Sequence, residues 1–511
     1  MAQAATCLLV ASLMLAPSHA APPPVFPPRA DCATMPDARP APSARTFVSA
    51  SVDAAVSTLA PRFADAALGR LFANTLPHTL DTCIARHDAA SPVPDTFVTT
   101  GDINAMWLRD ACAQLTPYLP FAADAPLRRL LAGGIARMAR CVLLDPYANA
   151  FALDPDAPEA ALHADDVSTR RGANGTRERA AARGVFERKW ELDSLASPLA
   201  FAESYYNATA DVAPFADDEQ WLQAATLAVA TMREQQAGSA EEDAAGGPLY
   251  TFQRLTTAPS DTLLHERGPP SRRTGLIKTA FRPSDDAAVL PFHTADNAAA
   301  AAALRGLARL LSAPPVAARL DARGGARLAA EAAALAAEVE AALEEHATFT
   351  HALTGARIYA YESDGFGNHL FMDDANLPSL LGLPLLRGFC SAQSPLCSAT
   401  RELALSADAN PYFVAGSVAA GIGSPHTGAG RTVWPLALVT RAETSSNATE
   451  IQEALRMLVA SSACTGLLHE SFDADDATRF SRPWFAWANA AAAGLLARLA
   501  RERPELVLRQ P

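Results

Sequence analysis

The stretch VAARLDARGGARLAAEAAALAAEVEAALEE, residues 316–345, decides the fold class. It is rich in Ala, Leu, Glu and Arg, which are strong helix formers, and its charges fall on one helical face. Strand signals are few, and residues 357–361 (RIYAY) are the clearest of them. We therefore predict an all-α protein. Comparable helix-like windows lie at residues 52–76, 125–144, 219–236, 295–312, 450–463 and 484–503.

Long polar segments separate these helices. Residues 152–185 and 237–247 contain few large apolar side chains, and we interpret both as surface loops. About a dozen helices joined in this way favour one toroid of paired helices. An elongated helical solenoid is the alternative, but solenoids normally have a readable period, and this sequence has no short internal repeat.

The N-terminus predicts export. The first twenty residues carry no Asp, Glu, Lys or Arg, and an apolar run at 7–16 precedes the small-x-small sequence of residues 18–20. We interpret residues 1–20 as a cleaved signal peptide, with an uncleaved signal anchor as the alternative. Residues 21–45 hold eight prolines and predict an extended, mobile leader. The remaining domain is expected at 46–505. No other stretch is apolar enough to span a membrane, so we expect no integral membrane domain.

Composition narrows the function classes. The 511 residues are 50% hydrophobic and include 42 Lys and Arg against 55 Asp and Glu, a formal net charge of −13. That apolar content is enough for a large core, and the acidic balance argues against a nucleic-acid partner. Three glycosylation acceptor tripeptides, starting at Asn174, Asn207 and Asn447, agree with export.

The cysteines also bear on the compartment. Seven remain after removal of the signal peptide, and an odd number leaves at least one thiol unpaired within the chain. Cys390 and Cys397 flank a short polar loop and are the pair that we predict. No Cys or His spacing matches a zinc site, and we expect neither a metal nor a cofactor.

Charged and aromatic loops punctuate the Ala- and Leu-rich helices. TGDINAMWLRD (100–110) sets a Trp beside an Arg and two Asp, which could form a sugar platform, although spacing alone favours a capped helix start with a core Trp. FERKWELDS (186–194) is by itself typical of a solvated helix face. FRPSDDA (281–287) contains adjacent carboxylates; in a buried cleft one of them would become a proton donor near neutral pH, whereas on the surface they would cap a helix.

Further motifs lie in the C-terminal half. FMDDANLP (371–378) repeats the Asp-Asp-Ala pattern, and GIGSPHTG (421–428) is a polar turn whose His is more typical of a hydrogen-bonding loop residue than of a ligand. HESF (469–472) is not the HExxH motif of zinc proteases. No nucleophile elbow, P-loop or dinucleotide fingerprint is present. Many carboxylates and several Trp favour a carbohydrate-active enzyme, since hydrolysis of a glycosidic bond needs two separated carboxyl groups.

Taken in order, these motifs resemble glycoside hydrolase family 125. The resemblance rests on TGDINAMWLRD, DPYANAF (145–151), ERKWELDSL (187–195), FQRL (252–255), FRPSDDA, FMDDANLPSLL, GIGSPHTG, HESF and RPWFAWAN (482–489), and it runs from about residue 99 to 489. It implies an (α/α)6 barrel and a metal-independent, exo-acting, inverting α-1,6-mannosidase.

The resemblance also implies site residues. Asp285 is the implied general acid and Glu470 the implied general base, about 6.5–9.5 Å apart to leave room for water. The remaining motif residues are expected to bind a mannose-containing glycan, and these are Asp102, Trp107, Arg109, Asp110, Arg282, Asp373, Asp374, Asn376, His426 and Trp487.

Two departures from the family pattern flank the implied acid. Residues 278–280 are Lys-Thr-Ala where the family has Trp-Ser-Gly, and residues 289–297 lack its segment ending in Asn-Met-Phe-Ala. We expect altered walls around Asp285 to change the aglycone preference. Alternatives to the mannosidase are another (α/α)6 glycosidase or lyase, or a catalytically silent glycan-binding paralogue. We expect a monomer, secreted or retained in the secretory pathway, for example in the Golgi.

Overall fold

Helices form the frame of the molecule. The computed structural model describes Cys32 and residues 35–158, 162–171, 176–178, 181–428 and 430–509; the predicted signal peptide and Asn174 lie outside these residues. The helices are α1 (Ala50–Leu59), α2 (Ala66–Thr75), α3 (His78–Thr82), α4 (Leu108–Leu115), α5 (Ala125–Leu144), α6 (Asp193–Thr209), α7 (Ala213–Ala216), α8 (Glu219–Glu234), α9 (Ser239–Ala244), α10 (Thr294–Ser312), α11 (Pro314–Leu320), α12 (Gly325–His346), α13 (Pro395–Ala404), α14 (Pro435–Glu443), α15 (Ala448–Ser461), α16 (Ala486–Glu502) and α17 (Pro504–Val507).

The helices form a closed double ring. In the inner ring α16 packs on α4, α4 on α6 and α6 on α10, while α14 packs on α16. Residues 379–383, which lie between α12 and α13 in the chain, form a further buried segment. Outer helices pack behind their inner partners: α5 behind α4 and α6, α12 behind α10, α15 behind α14 and α2 behind α16. The protein is therefore the predicted (α/α)6 barrel.

Local sequence signals set the helix boundaries. Asp65, Asp124, Asp218 and Asn447 each cap a helix by accepting backbone N–H groups in its first turn. The window 316–345 is broken because Gly324 adopts φ 99°, a left-handed conformation that ends the helical turn after α11. Where α6 meets α10, a Cβ on Gly306 would collide with the carboxylate of Glu203, so glycine permits this close approach.

Strands are short and lie in the loops. They are β1 (Ile84–Asp88), β2 (Asp95–Val98), β3 (Met106–Trp107), β4 (Ala150–Phe151), β5 (Val167–Arg171), β6 (Arg177–Glu178), β7 (Val185–Glu187), β8 (Tyr250–Gln253), β9 (Phe292–His293), β10 (Thr348–Thr350), β11 (Arg357–Tyr359), β12 (Glu362–Ser363), β13 (His369–Leu370), β14 (Phe413–Ala415), β15 (Ala420–Ile422), β16 (Thr432–Val433) and β17 (Phe472–Asp473). The antiparallel pairing of β11 with β10 confirms the strand predicted at 357–361. Within the described part of the 152–185 segment, β5 pairs with both β6 and β8, so these residues form strands and not the predicted loop.

Residues 35–45 are attached to the barrel, which the composition of the predicted leader did not indicate. The Arg39 guanidinium forms ion pairs of 2.8 Å with both Asp53 and Asp81. Asn74 Nδ2 donates to the carbonyls of Pro36 and Gly466, at 3.0 and 2.9 Å. These bonds join the N-terminal segment to the loop between α15 and α16.

Two disulfides are present. Cys390–Cys397 confirms the predicted pair, and Cys32–Cys464 links residues 432 positions apart. Cys83, Cys112 and Cys141 are buried free thiols. Within the described residues, no helix combines the length and apolar character needed to cross a membrane.

Removal of the long-range disulfide should destabilise the protein more than removal of the short one. A cross-link over a long loop restricts the unfolded chain more, so Cys32→Ala/Cys464→Ala should lower the free energy of unfolding by about 2–4 kcal/mol. The matched control, Cys390→Ala/Cys397→Ala, opens a loop of only 7 positions and should cost less. Urea titration measures both, and an equal or larger loss in the control would contradict this expectation.

Candidate active site

A cleft opens at the N-terminal ends of the inner helices. Its walls come from the segments at the starts of α4, α10, α14 and α16 and from residues 371–381, and fourteen of its fifteen lining residues belong to the quoted motifs. The cavity is small, about 90 Å³. Its lining residues are Thr100, Ile103, Trp107, Arg109, Asp110, Pro283, Ser284, Asp285, Asn376, His426, Trp434, Glu470, Arg482, Phe485 and Trp487.

Asp285 projects from a strained turn. Its φ of 66° is in the left-handed region, which is uncommon for residues other than glycine and clusters at functional sites. The Lys189 ammonium donates to the Asp285 backbone carbonyl at 2.8 Å, and this bond helps to hold the turn. Asp285 does not cap a helix, because residues 281–291 are irregular and α10 begins only at Thr294.

The Arg109 guanidinium is the centre of a buried cluster of charges. Nη1 donates to Glu191 at 2.8 Å and to Asp193 at 3.0 Å, and Nη2 donates to Asp285 at 3.3 Å. Burial alone would raise the pKa of Asp285, but Arg109, a hydrogen bond with Glu191 and the Lys189 charge outweigh burial and lower it. The Arg109 guanidinium thus supplies a fixed positive charge under the floor of the cleft.

The 186–194 segment is buried, so its interpretation as a solvated helix face was wrong. Glu187, Glu191 and Asp193 are at most 4% exposed. Their charges are compensated by arginines from other segments, namely Arg109 for Glu191 and Asp193, and Arg254 for Glu187 at 2.8 Å. A buried charged segment is stable when each charge has a partner, and those partners are distant in sequence.

Glu470 lies in the cleft wall that leads into α16. Its Oε2 accepts from the Ser481 hydroxyl at 3.0 Å, and its Oε1 accepts from Arg482 Nη1 at 3.2 Å. Arg482 also forms an ion pair with Asp102 at the rim. Two donors from one loop therefore fix the orientation of the Glu470 carboxylate toward the cleft.

His426 contributes a second positive charge. Its Nδ1 lies 3.3 Å from Asp286 Oδ1. Burial lowers the pKa of His426, but the hydrogen bond and charge of Asp286, with the charges of Asp285 and Glu470, raise it to about 9. The imidazole is consequently protonated at neutral pH, and its charge acts on Asp285 and Glu470.

Aromatic rings form the remaining walls. Trp107 packs edge-on against Phe186 with ring centroids 5.5 Å apart, and Arg109 lies over the Trp487 ring at 5.4 Å. Within the described residues, the buried atoms Trp107 Nε1 and Ser284 Oγ have no hydrogen-bond partner. Apolar ring faces beside unsatisfied donors suit a polyhydroxylated ligand, whose C–H faces and hydroxyls need both.

The structure brings eight of the twelve predicted site residues into the cleft: Trp107, Arg109, Asp110, Asp285, Asn376, His426, Glu470 and Trp487. The other four do not line it. Asp102 is exposed at the rim, and Arg282 is paired with Glu362 at 2.6 Å in the interior.

Asp373 and Asp374 hold the 371–381 segment together and do not line the cleft. Asp373 accepts the backbone N–H groups of Leu380 and Leu381, at 2.9 and 2.8 Å. Asp374 accepts from Asn376 Nδ2 at 2.9 Å and from the Ser424 hydroxyl at 3.1 Å. Both carboxylates thus satisfy loop groups, and they orient Asn376, which does reach the cleft.

Sequence reasoning missed several lining residues, chiefly Ser284, Trp434, Arg482 and Phe485. Each lies within or next to a quoted motif, so proximity to a motif was the available signal. Spacing along the sequence did not show that these four residues meet in one cleft. Within the described part of the chain, no group of three or more His, Cys, Asp or Glu side chains is placed to hold a metal ion.

Comparison with known proteins identifies the family. The sequence model of the metal-independent alpha-mannosidase family (GH125) matches residues 65–497. The chain belongs to this family. Family membership makes this chain a glycoside hydrolase, an α-mannosidase, and agrees with the motifs that line the cleft.

Two relatives extend this comparison. The Meiotically up-regulated gene 157 protein of Schizosaccharomyces pombe is 40% identical over 482 residues, which is 93% of this chain and 90% of the relative. A metal-independent α-mannosidase of Streptococcus pneumoniae, solved in a non-productive complex with α-1,6-mannobiose, is 34% identical with a TM-score of 0.78. That alignment covers 88% of this chain and 98% of the other. The GH125 fold is therefore retained over nearly the whole barrel.

Proposed function

We propose that this GH125 chain releases terminal α-1,6-linked mannose from glycans, with inversion at the anomeric carbon. The observation that carries the proposal is the placement of Asp285 and Glu470 in one cleft, on segments leading into α10 and α16. The inner helices follow one another in the order α16, α4, α6, α10, so these two helices are three places apart, which is opposite in a ring of six. Carboxyl groups on opposite sides of the sugar are what inversion requires.

In this mechanism Asp285 is the general acid and Glu470 the general base. Asp285 protonates the glycosidic oxygen as the bond to C1 breaks, and Glu470 takes a proton from the water that attacks C1 from the opposite face. Ser481 and Arg482 hold Glu470 toward that water. Protonated His426 and Arg109 offset the negative charge of the cleft without occupying either role.

The size of the cleft supports exo action. A cavity of about 90 Å³ is far below the roughly 300–1,000 Å³ typical of pockets for drug-sized ligands. It suits one terminal sugar ring, with the rest of the glycan outside. The α-1,6 linkage is proposed because the solved Streptococcus pneumoniae relative was studied with α-1,6-mannobiose.

We also propose that the protein works in the secretory pathway. Two disulfides fit an oxidising compartment, and the acceptor asparagines Asn207 and Asn447 are both exposed. The apolar segment at 7–16 supplies the expected signal.

Incubation of the purified protein with α-1,6-, α-1,3- and α-1,2-mannobiose in EDTA tests the proposed function. NMR should show mannose released from the α-1,6 isomer alone, appearing first as the β anomer. Initial release of α-mannose would contradict inversion, and loss of activity in EDTA with recovery on added Ca²⁺ or Zn²⁺ would contradict metal independence. Absence of release from any isomer by folded protein would favour the silent glycan-binding alternative.

A further inference from the structure

A second carboxyl group lies directly behind Asp285. Glu191 is 1% exposed and precedes α6. Its Oε2 accepts from Arg109 Nη1 at 2.8 Å and from the Ser194 hydroxyl at 3.0 Å, and its Oε1 accepts from Asn149 Nδ2 at 3.1 Å. Asn149 Nδ2 also approaches Asp285 Oδ1 at 3.5 Å, so one amide and one guanidinium bridge the two carboxyl groups.

The shared donors make the two carboxyl groups close neighbours, since Arg109 and Asn149 each contact both of them. Two ionised carboxylates that share these donors in a buried site would repel each other strongly. The Glu191–Asp285 pair therefore carries one proton and one negative charge, which Arg109 compensates.

The environment of the pair decides where that proton rests. Burial raises the pKa of Glu191 well above its usual range, and the Asp285 charge adds to this against the opposing effect of Arg109. The pKa of Asp285 is lowered, as described for the cleft. The Glu191 side chain is fully buried, whereas the Asp285 side chain is 24% exposed to the cleft. Burial therefore favours the neutral form at Glu191, whereas a general acid must hold the proton at Asp285.

We propose that Glu191 is a positioning residue that stores the proton which Asp285 delivers to the glycosidic oxygen. The inference rests on the proposed function, because it assigns a partner to the proposed acid. The proton of Glu191 first moves to Asp285. As the C1–O bond then breaks, its electron pair stays on the leaving oxygen, which takes that proton from Asp285. The pair then holds no proton, and Glu470 holds the one removed from water. Loss of that proton to solvent and uptake of one by the pair restore the enzyme.

Other charged groups face this pair and must be considered for its pH dependence. They are Arg109 and Asp110 on α4, Lys189 and Asp193 at the start of α6, and His426 from the segment before α14. The pKa values of Arg109 and Lys189 are raised and that of His426 is about 9, so these cations remain charged through neutral pH. Burial raises the pKa of Asp110 to about 6, but Asp110 contributes no proton to the leaving oxygen in this scheme.

Glu191→Gln tests the proposal with two substrates. The amide keeps the shape and one of the two accepted hydrogen bonds, from Arg109 or from Asn149, but it cannot pass a carboxyl proton. Asp285 must then hold the proton alone beside Arg109, so the alkaline limb of kcat/KM for α-1,6-mannobiose should move down by about one pH unit or more. At pH 7 the loss should reach roughly 10²-fold. Hydrolysis of α-mannosyl fluoride should stay within a few-fold of wild type, because fluoride leaves without protonation.

Glu203→Gln is the matched control. Glu203 is also a buried glutamate on the α6 segment, but it pairs with Arg309 and Arg387, at 2.8 and 3.1 Å, outside the cleft. This variant should leave both the pH profile and the two rates unchanged. An equal loss on both substrates in Glu191→Gln, or an unshifted alkaline limb, would overturn the proposal and leave Glu191 a structural residue.

The wild-type enzyme gives a second test that needs no folded variant. Its alkaline limb on α-1,6-mannobiose should lie above about pH 6, well above the pKa of about 3.9 of an isolated aspartate, and should be absent with α-mannosyl fluoride. A limb near pH 4, or the same limb with both substrates, would overturn the proton store alone. Failure of the wild type to hydrolyse either substrate would overturn the proposed function as well.

Discussion

Asp285→Asn should lower kcat for α-1,6-mannobiose by about 10²–10⁴-fold, because the leaving oxygen then departs without a proton. Asparagine is the informative replacement at this position. It tolerates the left-handed backbone of Asp285, with φ 66°, better than most residues do, so the turn should persist. A loss of activity in this variant is therefore chemical, and the melting temperature should stay near that of the wild type.

The leaving group separates the acid from other roles of Asp285. With α-mannosyl fluoride the same variant should recover most of its activity, since fluoride needs no general acid. Rates on both substrates at several pH values measure this difference. Equal losses on the two substrates would mean that Asp285 binds the sugar and does not protonate it, and near-normal turnover of mannobiose would remove it from the mechanism.

Glu470→Gln should lower kcat by a similar factor, about 10²–10⁴-fold, but on both substrates. Each reaction needs an activated water at C1, whatever group leaves from the other side. Glutamine keeps the carbonyl that accepts from Ser481 or Arg482, so the loop before α16 should retain its shape. With α-mannosyl fluoride, Asp285→Asn should therefore recover most of its activity, whereas Glu470→Gln should not.

The control for Glu470→Gln is the same chemical change at Glu203, outside the cleft. KM for α-1,6-mannobiose should remain within a few-fold in Glu470→Gln, because the base contacts the water and not the bulk of the sugar. Retention of activity on the fluoride in Glu470→Gln would contradict the role of base, and would point to Glu470 as a group that binds the aglycone.

The outer helices of the barrel were predictable from sequence, whereas several inner ones were not. α5, α8 and α15 were located to within about two residues, because helices exposed on one side carry an Ala, Leu and charge pattern. α4, α6 and α14 were missed. α4 and α6 begin inside motif loops and have polar first turns, and α14 is buried at most of its positions, so these three helices lack the pattern of a half-exposed helix.

Prediction of the site depended on the order of the motifs, since spacing alone favoured structural roles for these residues over catalytic ones. Asp285 was compatible with a helix cap, and the 186–194 segment with an exposed charged face. The structure differs because Arg109 reaches Glu191 and Asp193, which are more than 80 positions away. Pairings between distant segments cannot be read from one chain. The same limit explains why Cys390–Cys397 was foreseen and Cys32–Cys464 was not.

The ring closure also constrains how the protein is made. α2 near the N-terminus packs on α16 near the C-terminus, and Ala64 N donates to the Val507 carbonyl at 2.9 Å. The helix on which α2 packs, α16, is therefore synthesised long after α2 itself. In the same way, Cys32 can form its disulfide only after Cys464, 432 positions later, has been made. The ring can therefore be completed only once α16 has been made, and until then the apolar face that α2 buries against α16 stays exposed.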